Sequence, residues 1–242
     1  MSYVKRLRVM LAELEAHPKI EVTEVHFHPP VDPSILADLR TRWPISDAMA
    51  AFYSEANGVI IKWELAEGAE GDLGDYEASG SVNLLPIENV FGSWQDSIWF
   101  DEEDEYRNLY PLDFYVEEAC AALLVDGAEE PTVYYHYCGE EMATLKLSFE
   151  AYLELLLHSR GFWYWHKSIA APDYFNPYVP QTHEEKQFRA VAPMLFADFD
   201  GTRFVRTDGY TPEPKVEEEL PSIPAVTAEK VQEAKKPWWR FW

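Results

Sequence analysis

The sequence predicts an α+β fold in which N-terminal helices pack on a mainly antiparallel sheet, followed by a C-terminal extension and a flexible tail. Three observations lead to it. Helical periodicity dominates up to Ala56. Short β-branched and aromatic runs, separated by turn residues, then fill 59 to 147 before a helical stripe returns at Ser148. At Thr207 the composition changes, with Pro212, Pro214, Pro221 and Pro224 scattered among acidic and small residues that bury too little to offset ordering entropy.

Val4, Leu7, Leu11 and Leu14 share one stripe, which predicts a first helix ending before His17-Pro18. A second is expected from Asp32 as N-cap and Pro33 at its first position, through Leu36 and Leu39 toward Trp43. In Trp43 to Leu65, Ser46 or Asp47 can accept the free N–H groups of a first turn, and Ala48, Met49, Ala51, Phe52 and Ala56 recur at helical spacing. Asn57-Gly58 tolerates the left-handed conformation that closes a helix. Val59 to Leu65 reads as a strand, with Phe52, Ile60 and Trp63 expected in the core. Glu67 to Ser79 is a loop by composition. Further strands are expected at Ser81 to Leu85, Ala122 to Val125, Thr132 to Cys138 and Ala143 to Leu147, with turns at Asp126-Gly127 and Cys138-Gly139.

Ser148 caps the closing helix, Phe149, Tyr152, Leu153, Leu156 and Leu157 form its apolar face, and Gly161 ends it. Phe162-Trp163-Tyr164-Trp165 and the Pro/Tyr-rich crossing from Ala170 to Pro180 should pack back onto the core, since burial of such side chains contributes about 1.5–3 kcal/mol each. Thr182 and Glu185 form a capping-box signature before a stripe of Phe188, Val191 and Leu195 that Pro193 interrupts. The expected organisation is a domain over 1–160 with its core at 32–160, a packed extension over 161–206, and a flexible linker over 207–242 that ends in an aromatic, basic motif.

The Pro-initiated helix, Asn57-Gly58 and strand resemble the corresponding unit of the SMI1/KNR4 (SUKH) superfamily, with Trp43 where that family more often has Leu. Gly80 to Val90 is similar to the family's strand and short Leu-Pro-x-Glu-x-Val helix, and Ser148 to Leu153 to its closing helix; together the resemblance covers roughly residues 32 to 160. Members include bacterial immunity proteins that neutralise polymorphic toxins, as well as regulatory interaction proteins. The resemblance therefore implies a non-enzymatic binder, most concretely an immunity protein.

The chain has 242 residues, and 43 acidic against 20 basic residues leave a formal charge of −23. Such a body repels phosphate backbones and anionic headgroups, so no nucleic acid and no membrane insertion is expected. The complementary partner is a basic protein, such as a toxin domain with nuclease activity; solubility alone is the other reading of the charge. Cys120 and Cys138 form no metal-binding spacing or disulfide framework, and no cofactor is expected. The N-terminus is amphipathic, and no run approaches the ~18 apolar residues of a membrane span, so the cytoplasm is the expected compartment.

Asp101, Glu102, Glu103, Asp104 and Glu105 form the densest charge run, flanked by Trp94, Trp99, Phe100 and Tyr106. It reads either as a solvated loop or as a docking patch in which carboxylates steer a basic surface and aromatics supply desolvated contacts. Trp238, Trp239, Phe241 and Trp242 end the chain beside Lys235, Lys236 and Arg240. This motif can bind a partner's groove, dock on its own acidic domain or graze a membrane interface. An adaptor that recruits through this tail is the alternative function. Asp198 and Asp200 match the phosphate-transfer motif of haloacid dehalogenase-like phosphatases, but too little chain follows to complete such a site. A β-hairpin turning at Asp200-Gly201 is the competing assignment. His26 and His28 would share a strand face but lack a third metal ligand, and His136, His158 and His166 stand near no nucleophile motif.

Overall fold

The computed structural model describes residues 1–69, 71, 73, 76–127, 130–137, 142–170 and 182–206. The chain divides into two units, Met1–Pro212 and Glu213–Trp242. The expected linker and tail at 207–242, the Cys138-Gly139 turn and most of the Pro/Tyr-rich crossing lie outside the described residues.

The fold is α+β. Among the described residues, strands β1 (Ile20–Phe27), β2 (Val59–Leu65), β3 (Ser79–Leu84), β4 (Leu109–Val116), β5 (Ala119–Leu124), β6 (Thr132–Tyr137) and β7 (Ala143–Leu147) form one sheet in sequential order. Each neighbour is antiparallel. The helices are α1 (Tyr3–Glu15), α2 (Pro33–Arg42), α3 (Asp47–Tyr53), α4 (Ile87–Val90), α5 (Phe149–Ser159) and α6 (His183–Leu195). Their starts follow side-chain capping: Asp32 accepts from Ser34 N at 2.7 Å, Ser46 from Met49 N at 3.2 Å, Ser148 from Ala151 N at 3.3 Å and Thr182 from Glu185 N at 3.1 Å.

One face of the sheet carries the main core. Leu7 and Leu14 of α1, Met49 and Phe52 of α3, and Tyr152 and Leu156 of α5 pack there against Ile61, Trp63, Val82 and Tyr135. Phe162, Trp165, Phe188 and Phe204 from beyond residue 160 belong to the same cluster. On the opposite face, segment 91–108 covers a smaller cluster of Ile98, Leu109, Cys120 and Ala122.

Several expectations are corrected. The hairpin at Asp200-Gly201 is absent; Asp200 instead caps a short 3-10 helix, Gly201–Arg203, by accepting from Thr202 N at 3.0 Å. Helix α3 already ends at Tyr53, so Asn57-Gly58 does not close it. Asn57 Oδ1 accepts from Ile87 N at 2.9 Å and its amide donates to Glu88 at 2.7 Å, which ties the β2 entry to α4. Gly58, at φ +103°, makes that approach because a Cβ there would lie 2.7 Å from Leu84 O. Helix α6 runs through Pro193, which near the C-terminus removes only one late hydrogen bond. Glu185 does not complete the capping box; its carboxylate holds Arg189 at 2.9 Å. Ile60 is half-buried, pointing away from the face that holds Val59, Ile61 and Trp63.

Two strands lack a clean sequence signal, for visible reasons. In β1 a bulge between Val22 and Glu24 breaks the alternation. In β4, Pro111 and the buried Asp113 both argue against a central strand, and irregularities flank them in the pairing with β5. Strand β4 meets β3 at the single paired position Leu84–Asp113. Side chains complete this seam: Asn83 N donates to Asp113 Oδ1 at 2.7 Å and Asn83 Nδ2 to Phe114 O at 2.9 Å. Where β3 departs from β4, residues 161–163 take its free edge, with Ser81 N donating to Gly161 O at 2.7 Å and Trp163 N to Ser79 O at 2.9 Å.

Candidate protein-binding surface

Segment 91–108 builds a platform on the sheet face opposite the helices. Trp94 is half-buried; its indole donates to Val90 O at 3.0 Å and its ring lies 5.7 Å from Phe114. Ile98 inserts into the small cluster at 3% exposure. Trp99 is half-buried under the Arg107 guanidinium, 5.9 Å from its ring centre. Both tryptophans therefore fix the segment to the sheet and do not project as free anchors. Phe100, 66% exposed, is the aromatic that projects.

The five carboxylates divide by task. Asp101 accepts from Glu103 N at 3.0 Å; Asp104 accepts from Phe100 N at 3.0 Å and Tyr106 N at 2.9 Å. These three bonds order the turn and start the 3-10 helix Glu105–Asn108. Glu102, Glu103 and Glu105 are exposed and leave their charge to solvent. The His136 ring lies 4.8 Å from Tyr106 at a tilt of 53°, and burial pushes its pKa down against the opposing pull of Asp104. The face therefore keeps its negative sign near neutral pH.

Trp238, Trp239, Phe241 and Trp242 lie outside the described residues. Asp198 is held by both oxygens to Arg160, at 2.8 and 2.7 Å, and Arg160 also reaches Glu13 at 3.3 Å. The guanidinium keeps the Asp198 carboxyl below its usual range, and Asp200 is spent on its cap. Both aspartates thus tie the extension together, with Arg160 clamping it to α1. His26 and His28 contact edge to face at 4.2 Å. Among the described residues, no group of three or more His, Cys, Asp or Glu side chains could hold a metal ion, and no helix is long and apolar enough to cross a membrane.

Two features escaped the sequence reading. Behind the sheet, Tyr152 OH lies 2.8 Å from Asp113 Oδ2 and 3.0 Å from His166 Nε2, with the His166 ring stacked between Tyr115 and Trp165. This line joins β4, α5 and the extension, and burial raises the Asp113 pKa to about 6. On the face that bears the platform, a groove of about 660 Å3 opens at the β3–β4 split, lined by Lys62, Glu64, Ser81, Phe114, Glu118 and Trp163. Trp163 was legible only as part of an aromatic run; nothing local marks that it faces a groove.

No protein-family model, curated protein or solved structure matches this chain.

Proposed function

We propose that this protein is a non-enzymatic binding module that captures a basic protein partner through segment 94–105. The observation that carries this is the ordered turn in which the exposed Glu102, Glu103 and Glu105 follow the exposed Phe100 on a platform fixed by Trp94 and Trp99. An acidic turn beside one projecting aromatic suits steering followed by desolvated contact. The SMI1/KNR4 resemblance makes the most concrete role toxin neutralisation by a bacterial immunity protein in the cytoplasm, with a basic toxin domain such as a nuclease as partner. Co-expression with the product of the gene immediately upstream tests it. Full-length protein and a chain lacking residues 235–242 should both restore growth, whereas E102Q/E103Q/E105Q should not. Protection lost only with the tail would favour an adaptor, and undiminished protection by the triple variant would remove this face from the function.

A further inference from the structure

On the sheet face opposite the helices, 91–108 covers the small cluster over β4, β5 and β6. Beside it lies the groove at the β3–β4 split, and its charges are unevenly matched. Lys62 is neutralised by Glu24 at 2.8 Å, whereas Glu64 stands directly opposite Glu21 in the β1–β2 register. Like charges opposed across a strand pair repel, and a bound cation would relieve them. Glu117 and Glu118 of the β4–β5 turn bring two more carboxylates to the same groove, with Tyr164 OH donating to Glu118. Trp163, 42% exposed, and Phe114 contribute ring surface.

The Ser81 side chain, also lining the groove, is 3% exposed, and its hydroxyl has no hydrogen-bond partner. Buried hydroxyls are rarely left so, and this one offers an acceptor to an incoming N–H. We propose that the groove binds an arginine side chain presented on an extended segment of the basic partner. Trp163 provides the stacking surface, Glu64, Glu117 and Glu118 the counter-charge, and Ser81 Oγ an acceptor for one guanidinium N–H. Arginine fits better than lysine because its planar fork stacks on aromatic rings and donates in several directions. The inference rests on the reading of a basic protein partner and adds the side chain that partner inserts. Phe114 lines the groove and packs on Trp94, so the groove adjoins the acidic platform.

The test is a titration of the full-length protein with acetyl-Gly-Gly-Arg-Gly-Gly-amide, with its citrulline and lysine counterparts as controls, following the indole N–H resonance of Trp163. The arginine peptide is expected to bind about ten-fold tighter than the citrulline peptide, a preference abolished in E64Q/E117Q and weakened in Ser81→Ala. E102Q/E103Q/E105Q should bind the peptide unchanged, so failure of the groove and failure of the acidic loop are separable. Equal binding of all three peptides, lysine binding as tightly as arginine, or a self-association that Trp163→Ala abolishes would overturn the proposal.

Discussion

Asp113 shows how one buried side chain can organise a fold. It is fully buried, accepts the Asn83 N–H where β3 and β4 barely pair, and meets the Tyr152 hydroxyl that also touches His166. Two titrations therefore oppose each other. With a folded pKa of about 6 against 3.8 unfolded, Asp113 keeps a proton that the unfolded chain has released, so its contribution to stability falls as pH rises from about 4 to about 6. Burial drives His166 well below 6.5; here the unfolded chain binds the proton that the folded one refuses, so stability rises with pH up to about 6.5. Asp113→Asn retains an acceptor for Asn83 and removes the first titration. Urea unfolding between pH 4.5 and 6 should then show the variant gaining stability with pH more steeply than the parent, by roughly 1.4 kcal/mol per pH unit. Parallel curves would show that the pair does not titrate this way. Asp113→Ala, which strands the buried Asn83 N–H while Tyr152 OH keeps His166 Nε2 as a partner, should cost about 1–3 kcal/mol for the group left unpaired.

Among the elements, β3 depends most on the absence of a side chain. Trp63 lies across Gly80, where a Cβ would come within 2.2 Å of the indole nitrogen that donates to Arg160 O at 2.7 Å. Gly80→Ala must push the indole off that bond, and thermal unfolding should register a loss of about 1–3 kcal/mol or more. Asp198→Asn acts on an ion pair whose carboxylate is 68% exposed, so it should cost no more than about 1 kcal/mol. The contrast between these elements explains what could be read in advance. Ser46, Asp32, Ser148 and Thr182 signal helix starts because capping is local chemistry. Strand β4 did not declare itself, because its buried Asp113 is satisfied by the Asn83 backbone N–H and the Tyr152 hydroxyl, both distant in sequence. Asp101 to Glu105 was legible as a charge run, but not the division between Asp101 and Asp104, which build the turn, and the three glutamates that face out. The groove was invisible for the same reason as β4: Glu64, Ser81, Glu117 and Trp163 meet only once the strands are in register.

At the scale of the whole molecule, helices bury one face of a seven-strand meander, while the other carries the acidic platform and the adjoining groove. With a formal charge of −23, the chain should attract a basic partner from beyond contact distance, and the attraction should weaken as salt shortens the Debye length. On the proposed reading, the acidic turn would set the rate of encounter and Phe100 the lifetime of the complex. The most direct measurement is the association rate of full-length protein with the product of the gene immediately upstream, at low and high salt, for the parent chain, E102Q/E103Q/E105Q and Phe100→Ala. The triple variant should associate about ten-fold more slowly at low salt with little change in dissociation, and Phe100→Ala should mainly speed dissociation. Salt-independent association that neither variant alters would contradict binding through this face.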